Sequence, residues 1–484
     1  MRIVVEDVWT YLYGYKRGMF DEVTSWLDPN RFFIKSYKIG TWDGRRRLVR
    51  KHRSGKYFYM LSGLLSRVID LMNKKGIKYV LEDNRRLDPV ENNPCYELLD
   101  KDSGTIRLDQ GRYSFQADAV DALLMHGRGL LEICTGGGKT IIGIAAIKTL
   151  DRPTVWLTHR LNLMYQTQRQ MQERLGVKVG IVGDSKIEYE KFTVGMIQSC
   201  VSEKHRKFLK TREVVVGDEV HHLEADQWMK VFSGISAPYR LGLSATPCLI
   251  GNGMNLIAQT GDIVYSLAPK EAIEMGVLVP PRIWFIPIDT PKVPAKTPFP
   301  TVYKDCVTDN IYRNSLAVEV SQQFSREMKS NLLLVNRIKH GKTLKSMMTQ
   351  AGLKSEFVYG KVRTESRDAI FEDLFANRID NVVAISEIVG EGSDYPPLRA
   401  MINCTGGKGG GDAADEDETG RVLIQFIGRG LRPFPGKTHF DYVDFADSGH
   451  RFVKDAGRDR VSTLKEQGYA EYIRPWSEYA VSAV

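Results

Sequence analysis

A glycine-rich hexapeptide that ends in lysine and threonine has the clearest chemistry in the chain. It reads Thr135, Gly136, Gly137, Gly138, Lys139 and Thr140, and it lies between an apolar run at 129–133 and a helix-like run at 141–146. Glycines let backbone N–H groups curl around phosphate oxygens, and the start of a helix favours an anion. Lysine can reach the terminal phosphates, and the threonine hydroxyl can hold Mg²⁺. The six residues are therefore predicted to bind a nucleotide polyphosphate, although Ile133 stands where the usual loop pattern begins with glycine.

An acidic pair follows the next informative apolar run. Residues 213–217 are apolar after the first position, which predicts a buried parallel strand, and Asp218 and Glu219 come directly after it. In open α/β sheets, ligands bind at the carboxyl ends of strands. We therefore expect Asp218 to hold Mg²⁺ together with Thr140, and Glu219 to orient a water against the terminal phosphate.

Further short motifs occur along the chain in a fixed order. Their members are Gln116, His159, Arg160, Gln198, Ser199, His221, Ser244, Thr246, Gly392, Asp394, Gln425, Arg429 and Arg432. Together with the phosphate loop and the sequence Asp218-Glu219-Val220-His221, this set resembles the DExH-box helicases of superfamily 2, over roughly residues 106 to 447. The resemblance implies an α/β fold with two tandem RecA-like parallel-sheet motor domains, preceded by a small α+β domain that binds nucleic acid.

The resemblance also implies a role for each residue. Gln116 would read adenine, Gly392 and Asp394 would contact the nucleotide, and His159, Arg160, Gln198 and Ser199 would contact nucleic acid. His221, Ser244 and Thr246 would couple the ATP state to strand movement. The second motor domain would contribute Gln425, Arg429 and Arg432. The two arginines would neutralise negative charge on the γ-phosphate during hydrolysis, because a guanidinium group matches the geometry of phosphate oxygens. The implied cofactors are ATP and Mg²⁺.

Length and composition fit this prediction. The chain has 484 residues, 42% of them hydrophobic, which is enough for two to four packed domains. A formal net charge of +9 suits a polyanionic partner, and the six scattered cysteines are typical of free thiols in a reducing compartment. No targeting segment or membrane-length apolar run is evident, so we expect a monomer in the cytoplasm, or in the host cytoplasm if a phage encodes it.

The predicted domains are 1–105 for DNA binding, 106–285 for the first ATPase domain and 286–484 for the second. Prolines at 280–281 and between 291 and 298 mark the crossing. A glycine and acidic segment at 406–420 interrupts the second domain. It is either a solvated connector or a segment that competes with DNA phosphates or gates the ATP site.

The N-terminal part carries a concentrated positive charge. Between Arg31 and Lys56 there are ten Lys or Arg residues and one acid, and ten minus one gives +9. Aromatic residues are interleaved with them, so the segment either grips phosphates and stacks on bases or forms an ordinary small domain with solvated charges. We expect Trp42, Arg45, Arg46 and Arg47 to contact nucleic acid.

The segment around Trp42-Asp43-Gly44-Arg45 resembles the N-terminal module of the UvsW-like phage recombination helicases. That resemblance implies branch migration or fork remodelling with 3′-to-5′ polarity. Asp43-Gly44 also suits a tight turn, so the motif could preserve a hairpin rather than a DNA contact.

Three functions stay open at this point. The first is an ATP-driven helicase that acts on branched DNA in recombination, replication or repair. The second is a translocase on double-stranded DNA that never separates strands. The third is a nucleic-acid-binding or annealing protein whose affinity ATP regulates, although a full set of nucleotide-contacting residues argues against it. RNA remains open as a substrate, because backbone contacts carry little information about the type of nucleic acid.

Overall fold

A computed structural model describes residues 1–87, 94–220, 226–246, 253–289, 291–327, 329–389, 395–407 and 416–478. The chain divides into two compact units. The first unit comprises Met1–Ile133 and Gly138–Leu267, and the second comprises Cys134–Gly137 and Ala268–Val484.

The N-terminal part of the first unit is a small sheet domain with a single long helix. Its strands are β1 (Arg2–Val5), β2 (Trp9–Tyr13), β3 (Ser25–Leu27), β4 (Arg45–Arg47), β5 (Arg50–Lys51), β6 (Phe58–Leu61), β7 (Val80–Asp83), β8 (Glu97–Asp100) and β9 (Gly104–Arg107). Its helices are α1 (Asp21–Thr24), α2 (Lys35–Lys38) and α3 (Leu65–Lys74). Five strands form one sheet in the order β5-β6-β2-β1-β7, while β3 pairs with β4 and β8 with β9 in separate ribbons.

The rest of the first unit alternates strands and helices. Its strands are β10 (Arg128–Ile133), β11 (Thr154–Thr158), β12 (Gly180–Gly183), β13 (Lys186–Glu188), β14 (Phe192–Met196), β15 (Val214–Asp218), β16 (Tyr239–Ser244) and β17 (Ile263–Leu267). Its helices are α4 (Phe115–His126), α5 (Lys139–Leu150), α6 (Leu161–Leu175), α7 (Ile197–Cys200), α8 (Arg206–Lys210), α9 (Asp226–Gly234) and α10 (Met254–Thr260).

These eight strands form one sheet in the order β13-β12-β14-β11-β15-β16-β10-β17, in which only β13 runs antiparallel to its neighbour. The strand predicted at 213–217 is confirmed, displaced by one residue, and all five residues of β15 are buried. Strands that are covered on both faces read as continuous apolar runs, which is why this strand could be found from the sequence.

The two parts of the first unit share a hydrophobic core. Met254, Ile257 and Ala258 of α10 pack with the buried side chains of the N-terminal sheet and of α3. The backbones approach so closely that a Cβ on Gly63 would lie 2.1 Å from the carbonyl oxygen of Ile257. Beside this contact, Asp262 accepts hydrogen bonds from Ser66 and Arg67. The N-terminal sheet is therefore fixed to the helix that follows the coupling strand β16.

The second unit is also built on a parallel sheet. Its strands are β18 (Pro281–Ile288), β19 (Asn331–Val335), β20 (Ser355–Val358), β21 (Asn381–Ile385), β22 (Ala400–Asn403), β23 (Phe440–Asp447) and β24 (Ile473–Pro475). Its helices are α11 (Pro269–Glu274), α12 (Phe299–Tyr303), α13 (Ile311–Arg326), α14 (Ile338–Gln350), α15 (Thr364–Phe375), α16 (Ser386–Val389), α17 (Glu416–Gly430) and α18 (Arg451–Leu464).

The strand order in this unit is β20-β21-β19-β22-β23-β18-β24, and every pairing is parallel. The strands predicted at 331–335, 381–385 and 400–403 are confirmed with the same bounds. The predicted fold class, two parallel-sheet RecA-like motor domains behind a small N-terminal domain, is confirmed.

Strand β23 carries three buried aspartates, each matched to buried or half-buried cations. The pairs are Asp441 with Arg282 at 2.7 Å and Lys329 at 2.7 Å, Asp444 with Arg460 at 2.9 Å, and Asp447 with Arg313 at 3.1 Å. Burial alone would raise the pKa of Asp441, but hydrogen bonds from His439 and Arg282 and the charge of Lys329 outweigh it and hold the pKa well below its usual range. The cations around Asp441 therefore keep this buried carboxylate ionised.

Other sequence expectations concern membranes and thiols. Within the described residues, no helix is both long and apolar enough to cross a membrane. Among the described residues, Cys95, Cys134, Cys200, Cys306 and Cys404 form no disulfide bond, and all but Cys95 are buried.

Candidate functional site

The predicted phosphate loop lies between β10 and α5. Gly136 and Gly138 have φ angles of +92° and +86°, a backbone conformation that glycine adopts without strain. A Cβ on Gly138 would lie 2.3 Å from Nε2 of Gln116, so no larger residue fits there without displacing the glutamine. The structure thus brings the predicted adenine-reading residue, which is buried in α4, against the loop.

Lys139 begins α5 and is 9% exposed. Its Nζ atom donates a hydrogen bond to the carbonyl oxygen of Ile133 at 3.3 Å and lies 3.9 Å from Oε1 of Glu219. A buried ammonium group with a carboxylate at that distance retains N–H donors for a further anionic partner. The structure therefore brings the lysine close to Glu219 of the acidic pair, and its contact with phosphate stays a prediction.

The acidic pair stands at the carboxyl end of β15. Asp218 is 6% exposed, and its Oδ1 atom accepts a hydrogen bond from the backbone N–H of Glu219 at 3.0 Å. Burial and the neighbouring Glu219 carboxylate raise the pKa of Asp218 to about 7, while the charge of Lys139 acts in the opposite direction. A buried carboxylate with so little compensating charge is suited to a cation.

Glu219 has a φ angle of +49°, which is the left-handed region and is rare for a residue with a side chain. Such a conformation costs about 1–3 kcal/mol and persists where the surroundings enforce it, most often at functional sites. Here it turns the chain sharply after β15, so that consecutive residues place Asp218 in the sheet and Glu219 near Lys139.

Strand pairing aligns the coupling motif with these residues. Strand β16 lies between β15 and β10, with Asp218 opposite Leu243 and Ser244 opposite Glu132. Ser244 is buried at the strand end, and its Oγ atom accepts a hydrogen bond from the backbone N–H of Thr246 at 3.3 Å. The phosphate loop, the acidic pair and the coupling motif therefore occupy the same edge of the sheet.

The residues at this edge fit a magnesium nucleotide. The glycine turn that a Cβ would fill, the buried ammonium group and the buried Asp218 carboxylate, whose pKa is raised despite the charge of Lys139, are the groups that triphosphate and metal require. Within the described residues, no group of three or more His, Cys, Asp or Glu side chains could hold a metal ion. Thr140 and Asp218 are the residues that would hold Mg²⁺ near the phosphate oxygens of a nucleotide. When bound, the ion neutralises charge that develops on those oxygens.

The candidate nucleic-acid residues of the first unit meet at the ends of β11 and β14, which pair in parallel. His159 and Arg160 follow β11, and Gln198 and Ser199 lie in α7. Nε2 of Gln198 donates a hydrogen bond to the carbonyl oxygen of His159 at 3.0 Å. Arg160 and Gln198 are exposed, so this edge presents polar side chains to a ligand.

The second unit buries two of the three residues of the sixth motif. Gln425 and Arg429 of α17 are 7% and 8% exposed, and Nη1 of Arg429 donates a hydrogen bond to the carbonyl oxygen of Val389. This unit includes the loop residues Cys134–Gly137, and within it a Cβ on Gly136 would lie 3.4 Å from Cγ of Arg432. A Cβ on Gly428 would lie 2.5 Å from Cβ of Thr135, so glycine is needed at that point of the helix.

Three predicted site residues lie outside the described residues: His221, Gly392 and Asp394. Their roles stay predictions, as does the role of the segment at 406–420, most of which also lies outside them.

The N-terminal candidates are held in a network of contacts. Nε1 of Trp42 donates a hydrogen bond to the carbonyl oxygen of Arg45 at 2.9 Å, and the guanidinium group of Arg46 lies 5.1 Å from the centre of the Trp42 ring. Arg46 pairs with Asp28 at 2.8 Å, and Arg47 pairs with Asp21 and with Asp43. Two features favour glycine at position 44. Its φ angle is +79°, and a Cβ there would lie 2.7 Å from Cδ of Arg31.

Sequence reasoning chose the tryptophan and arginines of this segment and passed over its most exposed aromatic side chain. Phe33 is 81% exposed, whereas Trp42 is only partly exposed. Adjacent aromatics, Phe32 and Phe33, were a signal that one of them would face solvent, but the sequence does not tell which.

Comparisons with known proteins agree with this geometry. Residues 111–249 match the family model described as "Type III restriction enzyme, res subunit". The chain is 22% identical to the "ATP-dependent DNA helicase uvsW" of Enterobacteria phage T4 over 472 residues, covering 91% of this chain and 88% of that protein. It is 30% identical to the "DNA 3'-5' translocase XPB2" of Sulfurisphaera tokodaii over 136 residues, covering 28% of this chain and 30% of that protein.

Among solved structures, Dbp5 of S. cerevisiae bound to RNA and ADP BeF3 shares the fold, with a TM-score of 0.52, 18% identity and coverage of 76% of this chain and 92% of that chain. The phosphate loop, acidic pair and coupling motif lie at one sheet edge, in a chain with two parallel-sheet units. The chain is similar to the superfamily-2 helicases, and the comparisons support ATP hydrolysis coupled to unwinding of nucleic acid.

Proposed function

We propose that this protein is an ATP-dependent DNA helicase that unwinds or branch-migrates forked and four-way DNA with 3′-to-5′ polarity. The observation that carries the DNA part is the likeness to the T4 uvsW helicase, because it extends over 91% of the chain and so includes the N-terminal sheet. The ATP part rests on Lys139, which follows β10, and on Asp218 and Glu219 at the end of β15, with β16 between the two strands.

Hydrolysis of ATP in this proposal depends mainly on positioning and charge, since phosphoryl transfer asks for little covalent chemistry from the protein. Lys139 neutralises the terminal phosphates and is held by the carbonyl oxygen of Ile133. Thr140 and Asp218 would hold the metal ion. Glu219, whose Oε1 atom lies 3.9 Å from Nζ of Lys139, orients the attacking water and takes its proton.

The remaining positive charge comes from the sixth motif. We assign Arg432 to the terminal phosphate, because the likeness of this motif to the sixth motif of the superfamily-2 helicases implies that role. Arg429 is buried and bonded to the carbonyl oxygen of Val389, so we assign it to the segment that leads into the fifth motif as well as to the nucleotide. Gln425 lies one helical turn before Arg429 in α17, and it is the third residue of the motif.

Two alternatives rest on specific observations. The likeness to the XPB2 translocase, which covers 136 residues, supports a second candidate, a translocase on double-stranded DNA that does not separate strands. The fold shared with RNA-bound Dbp5 keeps RNA as a candidate substrate. A protein in which ATP only regulates binding or annealing is less favoured, since Glu219 is placed for hydrolysis.

One experiment separates these functions. ATPase rates are measured with no nucleic acid, single-stranded DNA, blunt duplex, a four-way junction and matched RNA, and strand separation is scored on the same substrates. Strong stimulation by forked or four-way DNA together with ATP-dependent unwinding supports the proposal. Stimulation by blunt duplex without unwinding supports the translocase, and stimulation by RNA alone overturns the choice of DNA.

A further inference from the structure

A small protrusion between β3 and β4 exposes apolar side chains in a basic setting. We call residues 31–39 the aromatic tip. Phe33 is 81% exposed, Ile39 62% and Phe32 55%, which is unusual for side chains of this size in a folded domain. Exposed apolar groups that stand together mark a binding surface more often than isolated ones do.

The tip rests on a layer of aromatic rings. The ring of Tyr37 contacts Phe32 edge-on at 5.5 Å and Trp42 edge-on at 6.3 Å. The guanidinium group of Arg31 lies 4.3 Å from the centre of the Phe32 ring, and Arg46 covers Trp42. These contacts occupy faces of Phe32 and Trp42, whereas Phe33 projects beyond the layer.

The charges around the tip differ in how far they are neutralised. Arg46 is paired with Asp28, and Arg47 is paired with Asp21 and Asp43. Their positive charge is therefore partly neutralised within the domain. Lys35 and Lys38, which lie on the tip itself, are exposed. An exposed aromatic ring flanked by exposed lysines combines a stacking surface with attraction for phosphate.

From these observations we infer that the aromatic tip binds unpaired bases of DNA, with Phe33 as the stacking residue and Lys35 and Lys38 as phosphate contacts. The segment Trp42–Arg47 then serves mainly as the scaffold that holds the tip. The inference deepens the proposed function by placing a single-strand contact in the N-terminal sheet domain, and it rests on that proposal only for the identity of the ligand.

The observations favour bases over a protein surface as the occupant. A protein-docking patch needs a broad apolar area, whereas here only the apolar side chains of Phe32, Phe33 and Ile39 are exposed among the described residues of the tip, beside exposed lysines. Stacking on an aromatic face also works for every base, so the site requires no sequence preference.

The test uses the full-length protein without nucleotide at one fixed salt concentration. Fluorescence anisotropy gives the Kd for labelled oligothymidylate, for a forked duplex and for a blunt duplex. Phe33→Ala is expected to bind oligothymidylate and the fork about tenfold more weakly, the size of losing one stacked base, and to bind blunt duplex like the wild type. Phe33→Tyr, which keeps the aromatic face, is expected to bind like the wild type.

Two further variants control the interpretation. Val80→Ala removes a side chain that is 62% exposed on β7 of the same sheet domain, and it is expected to change none of the three affinities. Phe33→Leu keeps an apolar group without a ring and is expected to behave like Phe33→Ala. Unchanged oligothymidylate binding by Phe33→Ala, an equal loss on blunt duplex, or restoration by leucine would each overturn the inference.

The outcome is independent of the motor. Binding is measured without ATP, so the two proposals can fail separately. If the protein does not separate strands but its binding depends on Phe33, the helicase proposal is wrong and the single-strand site is supported. If the protein unwinds DNA and Phe33 has no effect on binding, only the proposed single-strand site is wrong.

Discussion

Both sheets bury carboxylates, but the two sheets surround them with different amounts of opposite charge. In the first unit, Asp218 ends β15 next to a second carboxylate, and the nearest lysine lies 3.9 Å from Glu219. In the second unit, Asp441, Asp444 and Asp447 on β23 each have a cation within 3.1 Å. Burial is nearly complete in both cases, so the difference lies in the compensating charge.

This difference distinguishes a carboxylate suited to binding a ligand from carboxylates that stabilise the fold. A buried pair is already compensated, and its removal costs stability. A buried carboxylate with a like-charged neighbour stores unfavourable energy that a metal ion and phosphates can relieve. Substitutions at the two sheets should therefore damage different properties.

Lys139→Ala should give the largest effect, and on activity alone. Removing the ammonium group takes away the charge held against the terminal phosphates, so ATP turnover should fall by roughly a hundredfold or more. The measurement is steady-state ATPase with stimulating DNA, with thermal unfolding as the control for folding. Retained hydrolysis would contradict the phosphate assignment.

Glu219→Gln should separate binding from hydrolysis. The amide fills the same space but cannot take a proton, so turnover should fall by about a hundredfold while ATP still binds. Binding is measured with a fluorescent ATP analogue and turnover by phosphate release. Near-normal turnover would remove Glu219 as the residue that orients water.

Arg460→Met tests the second sheet and should damage stability. The substitution leaves the Asp444 carboxylate buried with Tyr442 and Asn403 as its remaining side-chain partners, and it should cost about 3–5 kcal/mol in the free energy of unfolding. Urea denaturation measures this cost. The matched control on the same helix is Arg458→Met, whose side chain is 70% exposed, and it should change the free energy by less than about 0.5 kcal/mol. Equal effects of the two variants would contradict the comparison.

Asp43→Asn should have the smallest effect, because its ion pair is exposed. The hydrogen bond from Arg47 lowers the pKa of Asp43 from 3.8 to about 2, against an opposing effect of burial. A depressed pKa stabilises the fold above about pH 4, and the contribution is lost as the pH falls towards 2. The wild type should therefore exceed the variant by no more than about 1 kcal/mol near neutral pH, with the gap closing on acidification. A gap that is independent of pH would show that Asp43 acts through its turn alone.

The sequence predicted the motor sheets well, for a physical reason. Runs such as 331–335 and 381–385 are apolar because both faces of those strands are covered, and their bounds matched the structure. The phosphate loop and the acidic pair could also be located from the sequence, because a tight turn needs glycines and a buried strand end is marked by a change from apolar to charged residues. Their roles stay predictions.

Long-range pairing could not be predicted in the same way. Arg313 and Arg460 are fully buried, yet nothing near them in the sequence points to partners more than ten residues away, such as Asp447 and Asp444. The same holds for Arg47, whose partner Asp21 lies outside the basic run that was counted as a phosphate-binding surface. A charge count measures composition, whereas a free charge depends on folding.

The core shared by the N-terminal sheet and α10 bears on how such proteins can be recombined. A module that can be exchanged between motors carries its own closed core, so that its loss leaves the remainder intact. Here Met254, Ile257 and Ala258 complete the N-terminal core from the motor side, and removal of that sheet would uncover them. Neither truncation nor domain grafting can then treat residues 1–105 as an independent part, and any replacement must bring a matching partner for α10.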